Sequence, residues 1–452
     1  MTGRYQAYSS IKESNVSWLC EIPSHWNLNK FKNIFRIKKR IAGKLGYDIL
    51  SITQKGVKIK DTETGDGQLS MDYSKYQLVY ENDFAMNHMD LLTGYVDISK
   101  HDGVTSPDYR VFTLENKSLH RKYFLYLLQL CYTAKIFYPL GQGASNIGRW
   151  RLPTEAFNEF VAPSPPLDEQ IKIARFLDHE IIKIDTLIEK QQQLIKLLKE
   201  KRQAVISHAV TKGLDANAKM RDSGVEWLGK VPEHWVVAQL KFNTLEMQTG
   251  PFGSQLHAED YVDDGIPLVN PAHMIDGKIV PDSKVSVDPD TWSRLSRHQL
   301  FEGDLIFARR GELGRCAVIT KVEEGWLCGT GSLKAKLNDR LVPEYSYLLI
   351  TSDGVVSELS LESKGSTMDN LNTETLGRVR LPVPPVGEQK KILNYVKSVL
   401  GKYGLLIDKA SSAIELMQER RTALISAAVT GKIDVRDWGA PKISQTNKEV
   451  AA

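Results

Sequence analysis

Apolar positions recur every three or four residues in two long stretches of the chain. The first series is Ala174, Leu177, Ile181, Ile184, Ile188, Gln191, Ile195, Leu198, Arg202 and Val205. The second is Leu393, Val396, Leu400, Tyr403, Ile407, Ala410, Ile414, Met417, Arg421 and Leu424. Apolar positions that repeat every 3.5 residues are typical of coiled-coil helices, which need a partner helix. The pattern predicts two long helices that pack on each other through these seams.

Each predicted helix has a start signal and a stop signal. Pro165-Pro166 and Pro384-Pro385 stand before the two starts. Glu169 and Glu388 follow in the first turns, where a carboxylate interacts favourably with the helix dipole. Gly213 and Gly431 follow the last helical residues, the usual place for a C-terminal glycine. The polar seam residues Gln191, Arg202 and Arg421 either set the register or contact helices of another subunit.

The two helical stretches belong to a longer internal repeat. Residues 169–211 align without a gap to residues 388–430, with 18 of 43 positions identical. Two further pairs of segments match, 14–26 with 223–235 and 163–170 with 382–389. Each half of the chain therefore contains a tryptophan-containing start, a variable segment, a proline-rich hinge and a long helix.

The repeat also predicts how the helices run. A helix of 43 residues is about 65 Å long, whereas the dozen residues between Gly213 and Val225 span about 40 Å at most. The chain cannot return to the start of the first helix over this link, so we expect antiparallel helices related by a pseudo-two-fold axis.

The variable segments combine short β-rich runs with helical stretches. The β-rich runs are 47–53, 76–80, 110–114, 265–269, 304–308 and 316–320, and the helical stretches are 120–136 and 343–350. We expect an α+β fold with two globules, mainly antiparallel sheets and two long antiparallel helices. The expected divisions are 1–162 (first globule), 163–213 (first helix), 214–381 (second globule), 382–431 (second helix) and 432–452 (a disordered tail).

Composition adds few constraints. The 452 residues include 59 Lys and Arg and 55 Asp and Glu, so a net charge of +4 requires that any nucleic-acid contact use local clusters. No apolar run approaches a membrane span and the polar N-terminal residues suggest no signal peptide. Four widely separated cysteines suggest reduced thiols in the cytoplasm.

Local basic clusters are candidates for DNA binding. No acidic residue lies between Glu21 and Asp48, and seven cations without a counter-charge nearby in the sequence favour phosphate contacts. These are Lys30, Lys32, Arg36, Lys38, Lys39, Arg40 and Lys44. A solvated basic surface is the alternative interpretation.

The second globule carries cations beside glycine-rich turns, which allow close backbone approach, and arginine can recognise guanine. Its candidates are Arg309, Arg310, Arg315, Lys334 and Lys336. Turn-rich segments add Gln142, Ser145, Asn146 and Arg149, and also Gln248, Thr249, Ser254, Lys364, Ser366 and Thr367.

Catalytic motifs are incomplete. Residues 224–230 match GxxxxGK, but Val231 stands where a P-loop needs Ser or Thr. Asn270-Pro271-Ala272-His273 lacks the second proline and the aromatic residue of an amino-methyltransferase site. The repeated pairs His25-Trp26 and His234-Trp235 have no metal ligands at suitable spacing, so we expect them to pack in the core. We therefore expect no metal site and no catalytic residues in this chain.

The whole arrangement resembles the specificity subunit of type I restriction–modification systems. The resemblance spans nearly the whole chain and is carried by the paired Pro-Pro-x-x-Glu-Gln helix starts and the repeated Trp…Pro…His-Trp segment. The helix ends 202–207 and 421–426 and the runs 86–94 and 303–311 add to it. The family implies two target-recognition domains that each recognise half of an asymmetric bipartite DNA site.

The resemblance also implies partners and cofactors. Long helices in this family act as a spacer and dock methyltransferase subunits, expected to be two, and a restriction subunit supplies ATP-dependent translocation and cleavage. The expected docking and seam residues are Leu177, Ile181, Ile184, Ile188, Ile195, Leu198, Val396, Leu400, Tyr403, Ile407, Ile414 and Met417. S-adenosylmethionine, ATP and Mg²⁺ would bind those partners, not this chain. Half-site centres about 34–36 Å apart would face the same side of a duplex.

Two other functions stay open on the residues alone. The chain could be a self-contained methyltransferase or nuclease fused to a recognition arm, which would require a complete cofactor or metal motif. It could also be a coiled-coil scaffold that does not contact DNA, which would show no salt-dependent DNA binding.

Overall fold

A computed structural model of the chain describes residues 5–61, 72–116, 118–143, 150–363 and 371–439. The chain forms two compact units, residues 1–192 with 411–452, and residues 193–410. Each unit combines one globule with part of both long helices. The domain boundaries expected from the sequence assign each helix to a single segment and so do not describe this sharing.

The first globule is built from short strands and three short helices within the described residues. Its strands are β1 (Ile11–Val16), β2 (Leu19–Pro23), β3 (Asn27–Lys30), β4 (Phe35–Lys38), β5 (Leu50–Thr53), β6 (Gly56–Ile59), β7 (Gln77–Val79), β8 (Phe84–Met86), β9 (Val96–Ile98), β10 (Gly103–Thr105), β11 (Arg110–Leu114) and β12 (Val161–Ser164). Its helices are α1 (Phe31–Ile34), α2 (Arg121–Thr133) and α3 (Thr154–Glu159).

One antiparallel sheet forms the centre of this globule, with the strand order β4-β11-β8-β9. Strands β1 and β2 form a separate hairpin, and β3 pairs with β12. The rings of Phe35, Phe84 and Phe112 pack together beneath the sheet at centroid distances of 4.9 to 5.4 Å. Burial of these large rings supplies much of the hydrophobic stabilisation of the globule.

The second globule has its own set of strands and helices. Its strands are β13 (Met220–Asp222), β14 (Lys230–Pro232), β15 (Val236–Gln239), β16 (Thr244–Thr249), β17 (Tyr261–Val262), β18 (Ile266–Val269), β19 (Met274–Ile275), β20 (Lys278–Ile279), β21 (Ser286–Val287), β22 (Leu305–Ala308), β23 (Cys316–Val318), β24 (Leu327–Cys328), β25 (Ser332–Leu337) and β26 (Arg380–Val383). Its short helices are α5 (Pro289–Arg294), α6 (Pro343–Ile350), α7 (Asp353–Ser363) and α8 (Thr373–Arg378).

The two globules share a topology. The central sheet of the second has the order β16-β25-β22-β23, which repeats the order β4-β11-β8-β9. The hairpin β13–β14 and the pair β15–β26 repeat β1–β2 and β3–β12. The second globule adds the sheet β17-β21-β18-β24, in which β18 and β24 are parallel. The predicted duplication and α+β class are therefore confirmed, and the sheets are mainly antiparallel.

A short motif repeated in both globules begins a central strand. Asp83 and Asp304 each accept a hydrogen bond from the backbone N–H three residues earlier, at 2.9 and 3.0 Å. The residue before each aspartate, Asn82 or Gly303, has a φ of 73° or 87°. This left-handed conformation favours asparagine and glycine. The motif therefore forms a tight turn into the central sheet.

The two long helices begin at the proline-rich hinges. They are α4 (Leu167–Lys212) and α9 (Val386–Val429). At the start of α4, Glu169 accepts a hydrogen bond from Trp26 Nε1 at 3.0 Å and lies 2.8 Å from His25 Nε2. The repeated histidine–tryptophan pair is therefore a structural element at the helix start. Trp26 is fully buried, as expected, whereas the His25 side chain is 41% exposed, so only the tryptophan packs in the core.

The second hinge repeats this arrangement. Glu388 lies 2.9 Å from His234 Nε2 and accepts a hydrogen bond from Trp235 Nε1 at 3.1 Å. A Cβ atom at Gly213 would lie 3.1 Å from the Trp235 ring and 3.2 Å from Glu388. The helix end at Gly213, with a φ of 79°, therefore packs against the tryptophan where the second helix starts.

Within the first unit the helices run antiparallel. Arg421 of α9 donates through Nε to Asp185 Oδ1 of α4 at 3.0 Å. Gly431, just after the end of α9, packs against Trp26, which is bonded to Glu169 in the first turn of α4. The start of α4 therefore lies near the end of α9, and the two helices run in opposite directions, as predicted. Arg421 is paired across the two helices, which agrees with a role in setting their register.

Most predicted seam residues lie on the buried side of the helices. Leu177, Ile181, Ile184 and Val396 are buried, and Ile188, Ile195, Leu198, Tyr403, Ile407, Ile414 and Met417 are partly buried. Leu400 is 40% exposed and Val399 takes the buried position, so Leu400 is not buried between the helices, and its proposed role in docking a partner stays a prediction. Near its start α9 packs on the core of the second globule through Ile392 and Val399, so the globule sets the buried face there.

The expected tail was wrong for its first residues. Ile433 and Val435 are buried, and the Trp438 ring lies 5.4 Å from that of Phe176. These apolar side chains join the core of the first unit, which offsets the entropy cost of ordering them. Residues 440–452 lie outside the described part of the chain.

The described residues include all four cysteines and both long helices. Cys20, Cys131, Cys316 and Cys328 are all free thiols, as the spacing predicted. Among the described helices, none is both long enough and apolar enough to cross a membrane.

Candidate nucleic-acid interface

Loops gather at one edge of each central sheet. In the first globule this edge is where β8 ends and β11 begins, and we call it the first loop edge. In the second globule the corresponding edge is where β22 ends and β25 begins, the second loop edge. Residues at strand ends are free to vary without disturbing the sheet, so these edges are suited to recognition.

Two loops are joined at the first loop edge. Leu91 N donates to the carbonyl oxygen of Trp150 at 3.0 Å, and Leu152 N donates to that of His88 at 2.9 Å. Gln142 and Arg151 exchange backbone hydrogen bonds of 2.8 and 3.0 Å. The predicted residue Gln142 therefore lies at this edge and is exposed, whereas Ser145, Asn146 and Arg149 lie outside the described residues.

Four segments converge at the second loop edge. Gly250 N donates to Ser332 O at 2.9 Å, Arg309 N to Gly331 O at 2.9 Å, and Leu371 N to Arg309 O at 2.8 Å. A Cβ atom at Gly250 would lie 1.8 Å from the carbonyl oxygen of Gly329, so only glycine permits this approach. Arg309 and Arg310 therefore lie beside glycine-rich turns, as the sequence predicted.

The arginines at this edge differ in their partners. Arg309 Nε donates to Leu371 O at 3.1 Å, and Arg315 pairs with Glu312 at 2.7 Å and donates to Pro271 O at 3.3 Å. Arg310 is exposed and has no hydrogen bond or ion pair among the described residues. Its five N–H donors are therefore available to an external acceptor.

Lys334, one of the predicted DNA contacts, has a buried side chain. Its side chain is 3% exposed, and Nζ donates to Gln299 O at 2.9 Å. Its charge helps to neutralise the buried Asp304 carboxyl, whose pKa is raised by burial. Lys336, two residues further along, is exposed and lies 5.4 Å from the ring centroid of Phe301.

The remaining candidates of the second globule fall into two groups. Gln248 and Thr249 end strand β16 at the second loop edge and are partly exposed, and Ser254 is exposed just beyond it. Lys364, Ser366 and Thr367 lie outside the described residues.

Most of the basic cluster of the first globule has counter-charges. Lys30 and Lys32 both pair with Glu159, at 2.5 and 2.6 Å, and their hydrogen bonds lower the pKa of that carboxyl to about 2. Arg36 and Lys38 pair with Glu115 at 3.3 and 2.6 Å. The expectation that these cations lack counter-charges was wrong, because folding brings acidic residues from distant parts of the sequence.

The last three cations of the cluster differ from one another. Arg40 pairs with the buried Asp83 and lies 4.5 Å above the Tyr80 ring. Lys44 Nζ lies 5.5 Å from the ring centroid of Tyr47. Lys39 is exposed, with no ion pair among the described residues, so it is the member most available to a phosphate.

A buried basic site that was not identified from the sequence lies beneath the first loop edge. Arg110 is 4% exposed, and its Nη2 donates to Leu152 O at 3.1 Å and to Thr154 Oγ1 at 3.3 Å. Burial lowers the pKa of Arg110 to about 10. Burial, together with the charges of Arg110 and Arg151, lowers the pKa of the nearby His88 to about 3. An arginine at the start of an otherwise apolar strand was the available signal.

The long helices also present apolar side chains to solvent. On α4, Ile182 and Leu187 of the first unit and Leu194 and Leu197 of the second are 43 to 65% exposed. On α9, Leu405 and Leu406 of the second unit and Leu416 of the first are 40 to 65% exposed. These residues lie off the predicted seam and were not identified from the sequence. Within each unit, these side chains give the helices exposed apolar area that is available to another protein.

The incomplete catalytic motifs have structural roles. Residues 224–229 lie in the connection of the β13–β14 hairpin and Lys230 begins β14. Asn270 Oδ1 accepts a 3.4 Å hydrogen bond from Gly331 N. Within the described ranges, no group of three or more His, Cys, Asp or Glu side chains is placed to hold a metal ion.

Comparisons with known proteins point to one family. The family model described as "Type I restriction modification DNA specificity domain" matches residues 23–197 and 259–413. The chain is 22% identical to the type I restriction enzyme MjaVIII specificity subunit of Methanocaldococcus jannaschii, covering 80% of this chain and 84% of the relative. It is 23% identical to the putative MjaX specificity subunit of the same organism, covering 92% and 95%.

Solved structures support the fold. The crystal structure of the HsdS subunit from Thermoanaerobacter tengcongensis has a TM-score of 0.53 at 14% identity, covering 91% of this chain and 98% of that one. A chain from a study of complex assembly in a type I restriction–modification system has a TM-score of 0.62 at 14% identity, covering 91% and 99%. The matched family model spans both halves of the internal repeat, so the chain belongs to the type I restriction–modification DNA specificity family and is a specificity subunit rather than a catalytic one.

Proposed function

We propose that each globule recognises one half of a bipartite DNA sequence through its loop edge. The observation that carries this proposal is the shared strand order of the two central sheets, combined with loop edges of different composition. The same scaffold presents His88, Gln142 and Arg151 in one globule and Gln248, Arg309 and Arg310 in the other. Because unlike side chains contact unlike bases, the recognised site is asymmetric.

Phosphate contacts position each globule and base contacts provide specificity. In the first globule Lys39 is suited to a phosphate, since it is exposed and unpaired within the described residues. In the second globule Arg310 is suited to a guanine, whose O6 and N7 atoms accept both hydrogen bonds of a guanidinium.

The exposed apolar residues of α4 and α9 dock partner subunits. Apolar faces on long helices fit helices of another protein, which bury the same kind of side chain. In this assignment two methyltransferase subunits supply S-adenosylmethionine-dependent chemistry. A restriction subunit supplies ATP- and Mg²⁺-dependent translocation and cleavage, and this chain binds none of these cofactors. The complex acts on double-stranded DNA in the cytoplasm.

The test is a reconstitution with the methyltransferase subunit of the same system. The expected result is methylation at one asymmetric bipartite site. Replacing residues 27–151 with the segment of another family member should change one half-site only, and replacing residues 236–370 should change the other. Sequence-independent methylation, or a change in both half-sites from one replacement, would refute the proposal.

A further inference from the structure

An exposed aromatic side chain stands at the second loop edge. Phe252 is 61% exposed and follows strand β16, whose last residues Gln248 and Thr249 lie at this edge. Phe242, at the opposite end of the same strand, is 62% exposed. The two phenylalanines are thus equally exposed but lie at opposite edges of one sheet.

The backbone around Phe252 is fixed by hydrogen bonds. Phe252 N donates to Gln255 Oε1 at 3.2 Å, and Gln255 N donates to Phe252 O at 3.3 Å, which closes a tight turn. Arg294 at the end of α5 donates to Gln255 O at 2.7 Å and pairs with Asp260 at 2.8 Å. The ring therefore projects from an ordered turn, and contact with a ligand costs little additional backbone entropy.

Phe252 and Arg310 flank the start of strand β25. Gly250, two residues before Phe252, is bonded to Ser332, and Arg309, next to Arg310, is bonded to the adjacent Gly331. An apolar ring and an available guanidinium therefore stand on either side of the same strand. A DNA duplex placed on this edge would meet both.

The chemistry of the major groove indicates what the ring contacts. Arginine recognises guanine there by two hydrogen bonds, and the thymine C5-methyl is the apolar group that base edges present in that groove. Phenylalanine makes no hydrogen bonds, so it discriminates by apolar contact. We propose that Phe252 recognises a thymine of the second half-site through its C5-methyl group, a proposal that rests on the proposed function.

The test replaces each thymine of the second half-site with deoxyuridine, which lacks only the methyl group. Binding of the complex with methyltransferase subunits is measured for the unchanged chain and for the variants Phe252→Ala and Phe242→Ala. One replacement should weaken binding by the unchanged chain about 3- to 5-fold, the effect of losing one buried methyl group. Phe252→Ala should bind the thymine site about 10-fold more weakly and be insensitive to that replacement. Phe242→Ala should behave like the unchanged chain.

Several results would overturn the inference while leaving the proposed function intact. These are a second half-site without thymine, Phe252→Ala that still discriminates deoxyuridine, or Phe242→Ala that loses discrimination equally. Increased fluorescence of 2-aminopurine in the half-site, lost in Phe252→Ala, would indicate insertion between bases instead. If Phe252→Ala fails to assemble, Phe252→Leu should retain discrimination because it keeps an apolar contact. Absence of any bipartite preference in the unchanged chain would instead refute the proposed function.

Discussion

The hydroxyl of Tyr345 donates a hydrogen bond to the carbonyl oxygen of Val210, 2.7 Å away and 135 residues earlier in the chain. Val210 lies in the last turn of α4, where carbonyl groups lack partners within the helix. In the first unit the hydroxyl oxygen of Tyr123 lies 3.1 Å from the carbonyl oxygen of Val429, in the last turn of α9. Each globule therefore binds the end of the long helix that begins in the other half of the chain.

Removing either hydroxyl should destabilise the protein. Tyr345→Phe leaves a buried helix-end carbonyl without its partner, which costs about 1–2 kcal/mol. Tyr123→Phe should cost a similar amount, and both are measured by urea unfolding of the whole chain. Tyr347→Phe is the control, because the Tyr347 hydroxyl makes no hydrogen bond within the described residues. Equal effects of all three substitutions would contradict this role.

The two hinge glutamates should contribute unequally to stability. The Glu169 side chain is 3% exposed and is bonded to Trp26, His25 and Tyr8, whereas that of Glu388 is 25% exposed. Glu169→Ala should cost about 3 kcal/mol because it leaves the two buried donors Trp26 and Tyr8 unpaired, and Glu388→Ala about 1 kcal/mol. Denaturant unfolding of the two variants measures the difference, and a larger loss for Glu388→Ala would be inconsistent with the burial.

Stability should depend on pH through His88. Its pKa is lowered to about 3 by burial and by the charges of Arg110 and Arg151. The unfolded chain, with a histidine pKa near 6.5, therefore binds more protons, so stability is lost as the pH falls from about 6.5 towards 3. Between pH 7 and 5, His88→Gln should lose about 2 kcal/mol less stability than the unchanged chain.

The control for this pH dependence is the exposed His208. Unfolding free energies at pH 5, 6 and 7 are compared for the unchanged chain and for both glutamine variants. His208→Gln should retain the original pH dependence. An unaltered slope in His88→Gln would mean that other groups cause the loss of stability in acid.

Arg310 should determine one base of the second half-site. Arg310→Ala should reduce discrimination at a single guanine by about 1–3 kcal/mol and leave the first half-site unchanged. Sequencing of methylated sites after reconstitution with a random DNA pool measures this. Lys321→Ala removes an exposed cation beyond the opposite end of β23 and should change no base preference. Relaxed preference in both half-sites would exclude a direct guanine contact.

Substitution of an unpaired lysine of the first globule should change the salt dependence of DNA binding more than substitution of a paired one. Lys39→Ala should reduce the slope of log binding constant against log salt by about 1, since it removes one phosphate contact. Lys32→Ala should change the slope less, because Lys32 already pairs with Glu159 at 2.6 Å. DNA binding by the assembled complex at several salt concentrations gives both slopes. Identical slopes for the two variants would show that an ion pair within the chain does not decide whether a lysine is available to a DNA phosphate.

The candidate sites were less predictable than the repeat. Lys30, Lys32, Arg36 and Lys38 have no acidic neighbour in the sequence, yet Glu159 and Glu115 neutralise them in the folded chain. Lys334 and Lys336 stand two residues apart and so share one face of β25, yet Lys336 is exposed and the Lys334 side chain is only 3% exposed, because its Nζ is bonded to Gln299 O from a distant part of the chain. Availability to DNA depends on such long-range placement, which residue type does not encode.

The sequence by itself determined the duplicated plan, the two long helices, their antiparallel course and the structural role of the histidine–tryptophan pairs. Those conclusions depend on periodicity, repetition and chain length, which are local or simple geometric properties. The tertiary structure decided that Leu400 is exposed, that residues 433–438 join the first core, and that Arg110 and Lys334 are buried. It also decided which cations are paired. Burial and charge pairing arise between residues far apart in the chain, so only the folded arrangement specifies them.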